Sequence, residues 1–280
     1  MKIFLIADFF TDEIVGGGEL NNEELVKLLN DSGHPTKKIK SRNLTQTFLK
    51  ENQDGFFIVS NFLHLDEGVK TLLSSLNYLI YEHDHKYIRT RNPALYKDYL
   101  APPSEIVNYD FYKKAKAVLC QSQFHTEIVK KNLKLNNIHN LGGNLWSEDT
   151  LKKIEIHSKK QKTNKHSIMN SSIEHKNTRD AVVYCEYNRL PYELIPPSTY
   201  SEFLDKLSNN SKLIFLPKTP ETLSRIVVEA RMMNMGVVTN SRVGASSEPW
   251  FEKKGKDLID IMRVKKEEIL QKVLEIASSE

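Results

Sequence analysis

The chain has 280 residues, 39% apolar and 27% charged, a globular balance with room for about two domains of roughly 100–200 residues each. Its longest apolar runs, such as 213–216, fall far short of the ~20 residues that cross a bilayer. Two cysteines, Cys120 and Cys185, exclude a disulfide framework and fit a reduced, cytoplasmic setting. The net charge of +4 divides into 18 Lys and Arg against 19 Asp and Glu over 1–150, and 22 against 17 over 151–280. The excess sits in 151–165, where six lysines meet one glutamate and no aromatic. A nucleic-acid surface spreads basic residues with aromatics between them, so nucleic acid is not an expected partner. The run reads as a solvated helix entering a linker, with contact to an anionic membrane surface or an acidic partner as the alternative.

In chain order, residues 1–6 are apolar but turn polar at Asp8 before a leader core or cleavage site forms, so no leader is expected. Strands are predicted over 3–10, 56–60, 76–81 and 117–122, and helices over 20–30, 105–114 and 124–133. Short apolar strands alternating with helical segments are the signature of βαβ units around a parallel sheet. Residues 159–165 contain no apolar side chain and are read as a linker. The pattern restarts with strands over 167–169, 192–195, 212–216 and 237–239, and helices over 178–187, 200–207, 222–233 and 265–277. The expected organisation is one α/β domain over 1–158, a linker over 159–165 and a second α/β domain over 166–280. Such domain pairs bind ligands at the carboxyl ends of their strands.

Four turns carry chemistry. In 218–238 a strand ends, a loop holds Glu221, and a helix carries Glu229 seven intervening residues later, before Gly236-Val237-Val238. Arg225 stands four residues before Glu229, so an ion pair along the helix is an alternative role for that carboxylate. After the first strand, Gly16-Gly17-Gly18 opens a helix whose free amides favour an anion, although a plain flexible turn fits as well. Asn21 stands where a dinucleotide fingerprint needs its third glycine. Glu82-His83-Asp84-His85 follows the strand over 76–81. A metal cluster and a structural turn are both alternatives there. Finally, 169–177 forms the first strand-to-helix turn of the second half, with Ser171 and Lys176.

Taken together, strand, loop, Glu221, helix, Glu229-Ala230 and Gly236-Val237-Val238 resemble the Glu-x7-Glu motif of retaining GT-B glycosyltransferases, those of glycosyltransferase family 4. The resemblance implies a GT-B architecture, two Rossmann-like doubly wound domains facing each other across a cleft. It implies that the amides of Thr222, Leu223 and Ser224 meet the donor's sugar and phosphates, with Thr222 and Ser224 standing where glycine is common. Glu229 would accept from the ribose hydroxyls and Glu221 would contact the transferred sugar. Gly17 and Gly18 would face the donor phosphate, and His83 would hold a sugar hydroxyl and polarise the reacting centre. Lys176 matches the family's phosphate lysine, while Ser171 replaces its phosphate arginine, for which Lys218 or Arg225 could substitute. The stretch 192–197 falls where the base is cradled. Arg89, Arg91 and Tyr96, in the polar and aromatic stretch 87–103, are the expected acceptor-binding residues, since arginines hold anions and aromatic faces stack on sugars.

The implied reaction is metal-independent, cofactor-free hexosyl transfer from a nucleotide diphosphate sugar to an acceptor hydroxyl of a carbohydrate or glycoconjugate, with retention by front-face attack. A non-catalytic nucleotide-sugar binding protein and a GT-B epimerase are the alternatives.

Overall fold

The computed structural model describes residues 1–279 and divides into two compact units, 1–145 with the stretch from Lys265, and Trp146–Val264. The first unit runs β1 (Ile3–Ala7), α1 (Gly17–Asp31), β2 (Thr36–Lys40), α2 (Gln46–Glu51), β3 (Phe56–Val59), α3 (Glu67–Leu73), β4 (Tyr78–Tyr81), α4 (Tyr109–Lys114), β5 (Val118–Cys120), α5 (Gln123–Leu133) and β6 (Ile138–Asn140). Its six strands are parallel in the order β2-β1-β3-β4-β5-β6. Alternation of side chains along each strand serves two cores. Phe4, Ile6, Phe57, Val59, Tyr78 and Ile80 pack on one face, and Ile3, Leu5, Phe56, Ile58, Leu79 and Tyr81 on the other. β2 was not predicted: Thr-Lys-Lys-Ile-Lys holds one apolar residue. As an edge strand it buries Ile39 and exposes Lys37 and Lys38, the charged edge that discourages pairing with another chain.

The second unit runs α6 (Glu148–Ser158), β7 (Thr163–Met169), α7 (Thr178–Tyr187), β8 (Tyr192–Ile195), α8 (Tyr200–Leu207), β9 (Asn210–Phe215), α9 (Arg225–Met232), β10 (Gly236–Thr239) and α10 (Gly255–Ser278). Its strands are parallel in the order β10-β9-β7-β8. Trp146, Leu151 and Ile154 join Leu213, Phe215, Val227, Val228 and Met232 in its main core.

Two expected boundaries move. The stretch 159–165 is no linker: α6 before it and β7 after it belong to one unit, and its charge is consumed locally. Lys159 pairs with Glu155 at 3.2 Å and Lys162 donates to the carbonyls of His157 and Ser208. Just before it, on α6, Lys153 pairs with Asp205 at 3.0 Å. The terminal helix does not belong wholly to the second unit. From Lys265 it returns to the first, where Ile269, Leu270, Val273 and Ile276 bury against the Ile3 and Leu5 face of the sheet. Among the described residues no helix is long and apolar enough to cross a membrane.

Candidate functional site

In each unit the candidate residues gather at the carboxyl ends of the strands. In the first unit β1, β3 and β4 are neighbours, so the turns after Ala7, Val59 and Tyr81 open on one edge of the sheet. The helix α1 begins at Gly17 with Gly16 extended at its cap. The Glu19 carboxyl folds over that turn, and a side chain at Gly16 would collide with its Oε2 at 2.5 Å. Burial raises the Glu19 carboxyl above its ordinary range, against the pull of the amides of Glu19 and Gly16. The start of α1, expected to face a donor phosphate through Gly17 and Gly18, thus already has a carboxylate against it.

His83 lies beside this turn, in ordinary contact distance of any side chain placed at Gly18. Its ring stacks on Tyr81 with centroids 4.9 Å apart. Nε2 lies 3.0 Å from Asn22 Oδ1, and Nδ1 takes a short hydrogen bond from Gln121 Nε2. His85 turns elsewhere: its Nδ1 meets Tyr87 OH at 2.9 Å and its ring packs on His125. Burial holds His125 well below the usual imidazole range, assisted by His85. Among the described residues no three His, Cys, Asp or Glu side chains are grouped to hold a metal ion.

The turn that carries His83 is fastened from below by Glu82, fully buried. Its carboxylate takes short hydrogen bonds from Lys86 Nζ and Tyr112 OH, and accepts from the Asp84 amide at 2.9 Å. Burial raises the Glu82 carboxyl, opposed by Lys86 and Tyr112.

The expected acceptor stretch is a series of short 3-10 turns closed by an antiparallel bridge between Ile88 and Ile106. Arg91, Asp98, Tyr99 and Asn108 all adopt left-handed backbone there, a concentration of strain that side-chain anchors hold in place. Asn132 Nδ2 donates to the Tyr99 carbonyl and Asn108 Nδ2 to that of Lys86, at 2.8 Å each. Glu105 joins Arg89, at 3.9 Å, to Tyr96, at 3.4 Å, and Arg91 reaches back to Asp84 at 3.1 Å. Arg91 thus touches the turn of His83 through Asp84, while Arg89 and Tyr96 meet at Glu105.

In the second unit β7 and β9 are adjacent, which brings the turn after Met169 to the loop after Phe215. The two are laced by Lys218 N donating to the His175 carbonyl at 2.9 Å and Asn177 Nδ2 to that of Leu216 at 2.7 Å. Lys176 and Glu221, distant in sequence, form a bidentate pair at 2.8 and 3.0 Å. Ser171 serves its own turn, taking the Ile173 amide on its hydroxyl at 3.2 Å. Lys218 pairs with the exposed Glu174 at 3.2 Å.

The helix expected from Thr222 begins at Arg225 instead. Residues 221–223 run beside 242–245, with Glu221 N donating to the Arg242 carbonyl and the amides of Gly244 and Ala245 donating to the carbonyls of Glu221 and Leu223. Thr222, Leu223 and Ser224 are therefore loop, and only Ser224 caps the helix. It does so at φ 77°, a conformation natural to glycine. The Ser224 hydroxyl is buried with no hydrogen-bond partner.

Glu229 is 2% exposed, and its contacts converge on Oε1: Trp146 Nε1 at 2.9 Å, Tyr200 OH at 2.6 Å and Arg225 Nε at 3.4 Å. Arg225 lies flat on Trp146, 4.5 Å from the ring centroid. The ion pair anticipated with Arg225 is present: Oε1 serves Arg225 and the two aromatics, while no described side chain donates to Oε2. Arg225 is engaged with Glu229 and Trp146 in this way. The stretch 192–197 begins as the edge strand β8, with Tyr192 donating to Glu186 at 3.3 Å.

Trp146, Tyr200, Asn22, Gln121 and Arg242 escaped sequence reading. Asn22 alone carried a signal, being a polar residue on the helix face shared by Leu25, Val26 and Leu29.

No protein-family model and no curated protein matches the chain. Solved structures do. A glycosyltransferase from Rickettsia africae superposes with a TM-score of 0.58 at 14% identity, over 99% of this chain and 98% of that one. An α-glucosyltransferase solved with UDP and a DNA 13-mer containing an HMU base gives 0.55 at 12% identity over the whole of both chains. The UDP-GlcNAc 2-epimerase of Methanocaldococcus jannaschii, solved with UDP-GlcNAc and UDP, gives 0.53 at 11% identity, over 100% of this chain and 94% of that one. With two parallel-sheet α/β units and these likenesses, the chain has the GT-B fold.

Proposed function

We propose that this chain is a nucleotide-sugar-dependent glycosyltransferase that moves a hexose to an acceptor hydroxyl with retention of anomeric configuration. The observation that carries the reading is the turn cluster of the second unit. There Lys176, Glu221, the buried Ser224 hydroxyl at the start of α9, and Glu229 with Oε2 clear of protein donors lie on two adjacent strand ends.

The donor's diphosphate sits at the start of α9, where backbone amides and the helix dipole favour negative charge. Lys176 turns from Glu221 to the phosphates, which frees the Glu221 carboxylate for the sugar hydroxyls. Glu229 Oε2 accepts from the ribose. The amides and Lys176 stabilise the departing diphosphate electrostatically, the part a divalent metal plays in other transferases. In the first unit, His83 is the proposed sugar-binding residue, and Arg89, Arg91 and Tyr96 are the proposed acceptor-binding residues. A non-catalytic nucleotide-sugar binder is the second reading, favoured by Ser171, which serves its own turn and brings no charge to the phosphates.

Titration calorimetry with UDP, GDP, ADP and CMP, in EDTA and then in magnesium, tests the proposal. One diphosphate should bind selectively in EDTA. Glu221→Ala should keep that affinity within about threefold and lower turnover by roughly 100-fold or more, the scale of a lost transition-state contact. Binding without sugar transfer to any acceptor would leave the non-catalytic reading, and epimerised donor would mark an epimerase. The double change Arg89→Ala and Arg91→Ala should raise acceptor KM by about tenfold with donor KM unchanged. Unaltered acceptor kinetics would remove those residues from the acceptor site.

A further inference from the structure

His83 sits in a frame of three buried amide side chains, Asn22, Gln121 and Asn144, each under 5% exposed. Amide orientation and imidazole tautomer are normally ambiguous together, because each is assigned from the other. Here the backbone settles both, from two independent ends.

At one end Gln121 Nε2 lies 3.3 Å from the carbonyl of Glu82. A carbonyl only accepts, so this atom must be the NH2 group. At the other end the Leu145 amide is shared between Asn144 Oδ1 at 2.8 Å and Asn21 Oδ1 at 3.0 Å, which agrees with an Asn144 whose oxygen faces Leu145. Asn144 then presents its NH2 to Gln121, whose Oε1 lies 3.2 Å away. Both anchors place the oxygen of Gln121 toward Asn144 and its NH2 toward His83. Facing an NH2, His83 Nδ1 must be a bare nitrogen that accepts. In a neutral ring the proton is then on Nε2, which needs an acceptor, and Asn22 Oδ1 lies there at 3.0 Å. The Ser60 hydroxyl also donates to that oxygen, at 2.8 Å. The arrangement is consistent throughout, although it leaves Asn22 Nδ2 buried with no partner.

We propose that Gln121 sets the protonation of His83, holding it as the neutral Nε2–H tautomer. Protonating Nδ1 would set an N–H against the Gln121 NH2, and Gln121 cannot turn over without losing both the Glu82 carbonyl and the Asn144 amide. His83 therefore offers a ligand one polar atom, the Nε2–H, released from Asn22. This role depends on the glycosyltransferase reading: the ring then donates a hydrogen bond to a sugar oxygen and takes no proton from the acceptor at Nδ1. The tautomer itself does not depend on that reading. Gln121 touches no substrate and is a positioning residue.

Long-range proton–nitrogen correlation spectra of the full chain, labelled in its histidines and assigned through His83→Gln, test this directly. Wild-type protein near neutral pH should show Nε2 of His83 in the protonated range and Nδ1 in the bare-nitrogen range. Gln121→Glu puts a carboxylate against Nδ1 and should move that nitrogen into the protonated range. A wild-type spectrum with the proton on Nδ1, or a Gln121→Glu spectrum with Nδ1 still bare, would overturn the proposal. The wild-type spectrum decides the tautomer even if Gln121→Glu fails to fold. Failure of the glycosyltransferase reading would appear in calorimetry and turnover and leave these spectra as they are.

Discussion

Glu229→Gln should weaken binding of the nucleotide diphosphate by about 10- to 100-fold while leaving the second unit folded, whereas Glu229→Ala should lose both affinity and stability. The difference lies in how the two oxygens are used. Glutamine keeps an oxygen where Trp146 Nε1 and the Tyr200 hydroxyl converge, so those buried donors remain satisfied. At the Oε2 position it places an NH2, which cannot accept from a ribose hydroxyl. A lost hydrogen bond to a charged group is worth ~1.5–3 kcal/mol, which sets the expected loss of affinity. Alanine strips Arg225, Tyr200 and Trp146 of their shared acceptor. The buried Trp146 Nε1 is left without its acceptor, at a cost of about 1–3 kcal/mol. Burial, and then Glu229, also raise the Tyr200 hydroxyl far above its usual range, so it remains a donor in either variant. Calorimetry paired with thermal unfolding reads both quantities. If Glu229→Gln binds the nucleotide diphosphate as the wild type does, the carboxylate is a structural clamp for Arg225 and the ribose assignment fails.

The same residue shows where sequence reading is strong and where it stops. The α/β architecture follows from strand-length apolar runs between helical segments, and α7, β8 and α8 lie where periodicity places them. Such elements declare themselves because local pattern and burial agree. The edge strand β2 does not, since three lysines in five residues carry no apolar signal. The unit boundary at Leu145 and Trp146 is likewise invisible, because a tryptophan entering a core looks like any other apolar residue. The lysines of 159–162 have the composition of a linker, yet they form a tight turn fastened to the neighbouring chain. Within the candidate site, Glu221 and Lys176 are separately legible through the family resemblance. Their mutual pairing was not, because it depends on β7 and β9 being neighbours. Similarly, His83 was legible as a polar residue after a buried strand. The amides that orient it come from α1 and from the turns after β5 and β6, and only the sheet order brings them together.

The largest effect on stability should come from Glu82→Ala, which removes the only carboxylate that meets Lys86, itself 1% exposed, among the described residues. An unpaired ammonium at that depth costs about 3–5 kcal/mol. For a unit of this size that corresponds to a fall of roughly 6–20 °C in its melting transition. The pair itself need not be stabilising, since desolvating two charges consumes most of what their attraction returns. Replacing the whole group, Glu82→Leu with Lys86→Met and Tyr112→Phe, removes every buried charge and hydroxyl together. It should recover most of the loss, short of the ~1–3 kcal/mol for the Asp84 amide left without its acceptor. What the triple variant should not recover is sugar transfer. Glu82 holds the Asp84 amide with its carboxylate, and its carbonyl anchors Gln121, so the charged group defines the shape of the turn that presents His83. A triple variant as stable as the wild type and equally active would show that the buried pair has no part in orienting that histidine. A stable variant with turnover reduced by about tenfold or more, and nucleotide affinity unchanged, would identify the ion pair as support for the site in the first unit.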